Sequence, residues 1–257
     1  MTNPVLSASK LNKSFGGLQA VNGVSFTAEP GSITAVIGPN GAGKTTLFNL
    51  ISGFIVPDSG NVFFKGAEIT GKKPYQAASL GILRTFQAVK MPEKLSVLDN
   101  VMLGTHRYGK AGYIRCMLHT PGSVREERKL RQKSIEVLAT LGLSKYADTP
   151  AGSLSFGDRR TLEMARALTA EPEILLLDEP ASGLNPRETE NLAGLILSVR
   201  KKGVSVLLVE HDMSLVMEIS DYVYVLNFGN LVASGTPREI QSNKEVIKIY
   251  LGEDEDA

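Results

Sequence analysis

Eight consecutive residues, Gly38-Pro39-Asn40-Gly41-Ala42-Gly43-Lys44-Thr45, fit the spacing G-x-x-x-x-G-K-[ST] at every fixed position. That combination suits a phosphate chain. Glycines let the backbone wrap tightly, so that successive N–H groups point at phosphate oxygens. A following helix adds its positive N-terminal end. Lys44 reaches the β- and γ-phosphates as a point charge, and Thr45 offers a hydroxyl to Mg²⁺. The candidate nucleotide contacts here are Gly38, Asn40, Gly41, Ala42, Gly43, Lys44, Thr45 and Thr46. A second candidate lies far downstream, where the apolar run Ile174–Leu177 ends in Asp178 and Glu179. In a parallel sheet, the carboxyl ends of strands face the ligand crevice. Asp178 is then placed to hold Mg²⁺ through water, and Glu179 to polarise a water for attack on a γ-phosphate. Taken alone, a strand ending in Asp-Glu-Pro is equally an ordinary polar turn; the phosphate loop gives it chemistry.

These residues need a scaffold. Val5–Leu11 and Val24–Thr27 read as short strands bounded by turns, and Ser32–Ile37 as a strand opening into the glycine loop. Lys44–Ile51 reads as the helix behind that loop, which makes strand, loop and helix the start of an α/β unit. Ile174–Leu177, Val204–Val209 and Tyr222–Leu226 are continuously apolar, as buried parallel strands are. Between the first two runs a helix is expected over Pro186–Lys201. Asn185 is its cap, Pro186 its first turn, and Glu188 stands at the capping-box position. Thr236-Pro237-Arg238-Glu239 repeats that pattern for a terminal helix. The middle of the chain is poor in β-branched runs, and Val124–Leu141 has helical spacing of apolar residues. The expected division is a nucleotide-binding core over 1–91 and 163–257, with a helical subdomain over 92–162 inserted in it. The acidic end, Glu253–Asp256, reads as a solvated tail.

Composition bounds the function. With 257 residues, 42% hydrophobic and 21% charged, the chain can bury a core without disulfide or metal staples. Its 28 basic and 27 acidic residues leave a net charge of +1, so no global field points to nucleic acid. The single cysteine, Cys116, excludes an internal disulfide framework and a cysteine-based zinc site. The first ten residues lack the pattern of a secretory signal, and no apolar run approaches the about 18 residues of a membrane span. Any work at a membrane is therefore expected to depend on partners.

Several P-loop families satisfy these features. Leu154-Ser155-Phe156-Gly157-Asp158, ahead of Asp178 and opening a helix, narrows the field. It resembles the Leu-Ser-Gly-Gly-Gln signature of ATP-binding cassette (ABC) proteins. Other cassette motifs follow in order. Phe15 resembles the aromatic that stacks on adenine, Gln87 in Arg84-Thr85-Phe86-Gln87 the Q-loop, and Ser182-Gly183-Leu184-Asn185 the D-loop. His211 in Val209-Glu210-His211-Asp212 resembles the switch histidine. A kinase or GTPase would lack both the signature and His211.

The resemblance implies an α/β fold: a P-loop (RecA-like) core, an antiparallel β subdomain and an inserted α-helical subdomain. It also implies ATP and Mg²⁺ as ligands and a head-to-tail dimer. In that dimer, Ser155 and the backbone of Gly157 would reach the γ-phosphate held by the partner's loop. Glu179 would be the general base. His211 would orient the attacking water. Gln87 would contact Mg²⁺ alongside Thr45 and Asp178, and would link the ATP site to the helical subdomain.

Three positions depart from the family pattern: Phe156 for Gly, Asp158 for Gln, and Asn185 for the D-loop Asp. Asp158 is expected to point outward or to engage Arg159 or Arg160. None of the three touches Lys44, Asp178 or Glu179, so an active ATPase is expected.

A cassette without membrane helices resembles a prokaryotic importer subunit. Arg84–Gln87, Gly183–Pro186, Val209–Met213, and the stretch from Glu245 to Gly252 resemble the ATPases of branched-chain amino acid importers. That implies import of branched-chain or other hydrophobic amino acids, with two transmembrane permeases, a second ATPase (sibling or self) and, indirectly, a solute-binding protein. It places the chain at the cytoplasmic face of the cell membrane. Urea and amide importers and the lipopolysaccharide-export ATPase share several of these features. A non-transport ABC ATPase, such as the iron–sulfur assembly type, is the other reading. The basic stretch from Arg107 to Lys133 reads either as a solvated helix face or as a contact for headgroups or a permease loop.

Overall fold

The structure is a computed structural model that describes residues 3–85, 91–105 and 121–251. Gln87 lies outside the described residues, as does the first part of the basic stretch. The chain divides into two compact units. One comprises the residues up to Arg84 and those from Glu173 onward, and the other is Thr85–Pro172.

The first unit holds two sheets. Strands β1 (Leu6–Phe15), β2 (Leu18–Ala28), β4 (Ser59–Phe64) and β5 (Ala67–Glu68) form an antiparallel sheet in the order β2-β1-β4-β5. The second sheet runs β10-β9-β3-β8-β7-β6. Its strands are β3 (Ile33–Ile37), β6 (Ile82–Arg84), β7 (Ile174–Asp178), β8 (Ser205–Val209), β9 (Tyr222–Asn227) and β10 (Asn230–Gly235). All neighbours in it are parallel except the β9–β10 hairpin. Every residue of β3, β7 and β8 is buried. That explains their unbroken apolar sequences, since a parallel sheet covered on both faces has no polar side.

Register puts the chemistry in one row. Val36 of β3 stands beside Val209 of β8, and Val209 beside Asp178 of β7. Ile37 stands beside Val225 of β9. The loops leaving β3, β7, β8 and β9 therefore emerge at one carboxyl edge. Helix α1 (Lys44–Ile51) follows β3 directly and buries Leu47, Phe48, Leu50 and Ile51 against the sheets.

Strands β1 and β2 run longer than their apolar segments, because antiparallel pairing recruits polar residues such as Lys13, Ser14 and Gln19 at the solvent-facing ends. Asn185 and Thr236 cap their helices as their spacing indicates. Glu188 N–H donates to Asn185 Oδ1 at 3.0 Å, and Asn185 N–H donates back to Glu188 Oε2 at 3.0 Å. Thr236 N–H donates to Glu239 Oε2 at 2.7 Å.

The second unit is helical in its described residues. Its helices are Val97–Leu103, Pro121–Thr140 and Phe156–Thr169. Val97, Val101, Leu138, Leu141, Leu162 and Ala165 are buried. In the 121–140 helix the apolar spacing overstates the buried face: Val124 and Ile135 are exposed, and the face they belong to is charged.

Candidate functional site

The glycine loop leaves β3 and closes on α1 in a shape that its residue types require. Gly38 has φ 151°, and a Cβ there would stand 2.1 Å from the Leu226 carbonyl oxygen. Gly43 has φ 100°, and a Cβ there would stand 2.3 Å from the Ala20 carbonyl oxygen. No side chain fits at either point, so these two glycines set the loop's path. Gly43 is also the residue that caps α1, and its conformation is left-handed.

Lys44 is 6% exposed. Its Nζ donates to the Gly38 and Pro39 carbonyls at 2.6 and 2.9 Å. The ammonium is thus held against the first two residues of the loop. Burial lowers its pKa below 10.5, and the charges of Glu179, Asp178 and Glu210 oppose that shift. Thr45 and Thr46 form the first turn of α1 beside it. Asn40, Gly41, Ala42, Gly43, Lys44, Thr45 and Thr46 line a cavity of about 380 Å³ together with Phe15 and Glu179.

At the end of β7, Asp178 is buried, and its Oδ2 accepts from Arg84 Nη2 at 2.7 Å. Arg84 Nη1 donates to Asn49 Oδ1 at 2.7 Å and to Ser52 Oγ at 2.9 Å, both on the α1 side. Its guanidinium lies 5.6 Å from the ring centres of both Phe48 and Phe54. One arginine from β6 thus fastens the β7 carboxylate to the phosphate-loop helix. Planar, multiply bonded and stacked, this is a role for Arg and not for Lys. The sequence marks Arg84 only as part of the Arg84–Gln87 motif and does not show what it holds, because its partners lie 35 and 94 positions away.

Glu179 follows in a left-handed conformation, φ 45°, uncommon for a residue with a side chain. Its N–H donates to the Val209 carbonyl at 2.9 Å, continuing the β7–β8 ladder by one bond. The backbone turn after that bond brings Glu179 to the cavity that holds Lys44.

Glu210 is the other residue to which motif reading gave no role. It is fully buried. Its Oε1 accepts from Ala181 N–H at 2.7 Å, and its Oε2 from the N–H groups of His211 and Asp212 at 2.9 and 3.2 Å. One carboxylate therefore ties the turn after Glu179 to the turn carrying His211. His211 itself is 58% exposed in its side chain, with Nδ1 3.7 Å from Glu210 Oε2. Phe15, at the end of β1, is 46% exposed, with Lys13 Nζ 5.6 Å from its ring centre.

The Leu154–Asp158 segment lies in the other unit. Ser155 caps the Phe156–Thr169 helix: its Oγ accepts from Asp158 N–H at 3.1 Å and donates to Asp158 Oδ2 at 2.8 Å. Gly157 stands in the first turn. Asp158 turns to its own cap and not to the arginines beside it. Arg159 donates to the Leu154 and Gly152 carbonyls, and Arg160 pairs with Glu163. The reason is local: the residue three beyond a serine cap is already within reach of its hydroxyl.

The chain is similar to known proteins over almost its whole length. Residues 21–182 fit the family described as ABC transporter, and residues 230–256 the one described as branched-chain amino acid ATP-binding cassette transporter. The chain is 43% identical over 254 residues to the high-affinity branched-chain amino acid transport ATP-binding proteins BraF of Pseudomonas aeruginosa and LivG of Escherichia coli K12. In both cases the match covers 98% of this chain and 100% of theirs. It is 38% identical to a probable branched-chain amino acid transport ATP-binding protein of Archaeoglobus fulgidus, over 96% of this chain and 95% of that one. A crystal structure of an ATP-binding cassette of an ABC transporter in its ADP conformation superposes with a TM-score of 0.86 at 32% identity. That match covers 98% of this chain and 100% of the other. The chain belongs to the ABC transporter family, as an ATP-binding cassette with ATPase activity.

Proposed function

We propose that this cassette is the ATP-hydrolysing subunit of a branched-chain amino acid importer. The reading rests most on one observation: Lys44, Thr45 and Glu179 share a cavity, and Arg84 holds Asp178 against the helix that carries Lys44 and Thr45. The solute class comes from relatives aligned over almost the whole chain and from the match at 230–256.

The roles follow from the chemistry of each group. Lys44 and the loop N–H groups bind the β- and γ-phosphates. Phe15 stacks on the base. Glu179 takes a proton from the attacking water as its oxygen bonds to the γ-phosphorus and the bond to the β-phosphate oxygen breaks. His211, held by the Glu210 clamp, contacts the γ-phosphate and orients that water.

Mg²⁺ fits the donors present. The Thr45 hydroxyl and the Asp178 carboxylate are hard oxygen ligands. Among the described residues no cluster of three His, Cys, Asp or Glu could hold an ion unaided, so the phosphates would complete its shell. Bound there, the ion would neutralise charge on the β- and γ-oxygens. Gln87 is assigned to the same ion by its place in the motif order.

Ser155 and Gly157 would serve a nucleotide on a second cassette, sibling or self, in a head-to-tail pair. No described helix is long and apolar enough to cross a membrane. As an importer subunit the chain would sit at the cytoplasmic face, held there by two permeases fed by a solute-binding protein.

The test is recovery of tagged Glu179→Gln from detergent-solubilised native membranes with ATP. Two permeases and a second ATPase should co-purify. Recovery of only soluble partners, such as assembly factors, would point to a non-transport ATPase. Permeases of a urea, amide or lipopolysaccharide system would reassign the solute.

A further inference from the structure

The β9–β10 hairpin turns through two residues, Phe228 and Gly229, with Asn227 paired to Asn230 across it. Both turn residues have positive φ, 42° and 77°. Such a two-residue turn favours Asn, Asp or Gly at its first position, because a branched or bulky side chain is strained there. Here that position carries phenylalanine, and its side chain is not used to pack the protein: Phe228 is 79% exposed. A strained backbone that displays an exposed aromatic needs a reason, and the reason must lie in what the ring faces.

It faces the nucleotide cavity. Phe228 lines the same space as Phe15, Leu18 and the phosphate loop. Phe15 and Leu18, the other two apolar lining side chains of that size, are exposed as well, so the three form an open apolar part of the cavity wall. The turn is also fixed in place. Gly229 N–H donates to the Ala42 carbonyl in the phosphate loop at 3.0 Å, and Asn22 N–H donates to the Gly229 carbonyl at 2.8 Å. Asn22 Nδ2 donates to Asn230 Oδ1 at 2.9 Å, and Asn230 Nδ2 to the Phe228 carbonyl at 3.0 Å. A Cβ at Gly229 would come within 2.8 Å of the Gln19 carbonyl oxygen, so the turn lies directly on β2.

We infer that Phe228 is a second base-binding aromatic, which with Phe15 and Leu18 walls the site for the nucleobase. This rests on the nucleotide reading of the phosphate loop. The occupant is a nucleobase and not a protein segment because this wall is continuous with the phosphate loop, one residue of which is bonded to the turn itself. Stacking against a flat π-face gains affinity for any base, most for the large purines. The phosphate loop supplies affinity that is blind to the base, and the hairpin supplies the part that is not.

The test measures affinity for ATP and for tripolyphosphate in the full chain, comparing wild type with Phe228→Ala, Phe228→Gly and Phe228→Tyr. Phe228→Ala and Phe228→Gly should weaken ATP binding by about tenfold and leave tripolyphosphate binding within about twofold. Phe228→Tyr should bind ATP like wild type. Glycine relieves the positive φ, so Phe228→Gly should melt no lower than wild type without ligand, yet gain less in Tm from ATP. Unchanged ATP affinity in Phe228→Ala would overturn the proposal and leave the phosphate loop's role intact. Equal loss for ATP and tripolyphosphate would overturn it too, since the turn would then act only by shaping the loop. Failure of wild type to bind either ligand would instead remove the nucleotide reading beneath it.

Discussion

The phosphate loop and the signature segment both present N–H groups at the start of a helix, and they differ in how finished they are. At the loop, backbone shape is imposed by Gly38 and Gly43, Lys44 is buried and bonded, and Arg84 has locked Asp178 to the α1 side. At the signature, the key hydroxyl is already engaged: Ser155 Oγ both accepts from and donates to Asp158, and Phe156 is half exposed. One surface is organised to receive phosphate. The other satisfies itself with a capping interaction that an incoming phosphate oxygen could replace. Preorganisation on the first side lowers the cost of binding. A satisfied cap on the second keeps a helix end stable until a ligand competes for it.

The sharpest way to break the contrast is at the buried ion pair. Arg84→Met should destabilise the protein by about 3–5 kcal/mol, because Asp178 would keep a buried charge without its partner. Chemical denaturation would read this, and adding Asp178→Asn should recover part of the loss. A loss below about 1 kcal/mol would mean that water replaces the arginine and the loop side is less fixed than the contacts imply.

Lys44→Ala is expected to cost about 2–3 kcal/mol of ATP affinity, the range for a charge-assisted bond to phosphate, with little change in melting temperature. Ser155→Ala should cost about 1 kcal/mol of stability as a lost cap. On the proposed head-to-tail pairing, in which Ser155 would serve the partner's nucleotide, it should leave ATP affinity of the isolated chain unchanged. Weaker ATP binding by that variant would place the signature in its own chain's site.

The smallest effect is one of pH. Burial holds the Lys44 amine below 10.5, and a bound phosphate would raise it again. Binding then takes up a proton, so ATP affinity should fall as pH rises toward 10.5. The ligand-free protein should gain stability over the same range, because the unfolded chain binds the extra proton. Titration of ATP affinity from pH 7 to 10 would show the slope, and Lys44→Arg should flatten it.

Much of this was legible from local pattern. The loop, the acidic strand end and the two capping boxes depend on residues within a few positions of one another, and short spacing is what a sequence displays. The buried strands were legible because parallel strands covered on both faces carry no polar positions. What Arg84, Glu210 and Phe228 do was not. Arg84 meets its partners across 35 and 94 positions, and Glu210 reaches Ala181 across 29. Phe228 reads as an ordinary hydrophobic residue until its turn conformation and its exposure are known. The short strand β6 and the edge strand β10 were equally hidden, since neighbours in the sheet define them more than their own residues do.

The most direct measurement is ATP turnover and ATP affinity in parallel for wild type and Glu179→Gln. Removing a general base slows turnover by about 10²–10⁴-fold while the amide keeps the shape of the site. We predict that loss with ATP affinity retained. Hydrolysis by Glu179→Gln at the wild-type rate would contradict the assignment of Glu179 as the base, and with it the chemical account of the site.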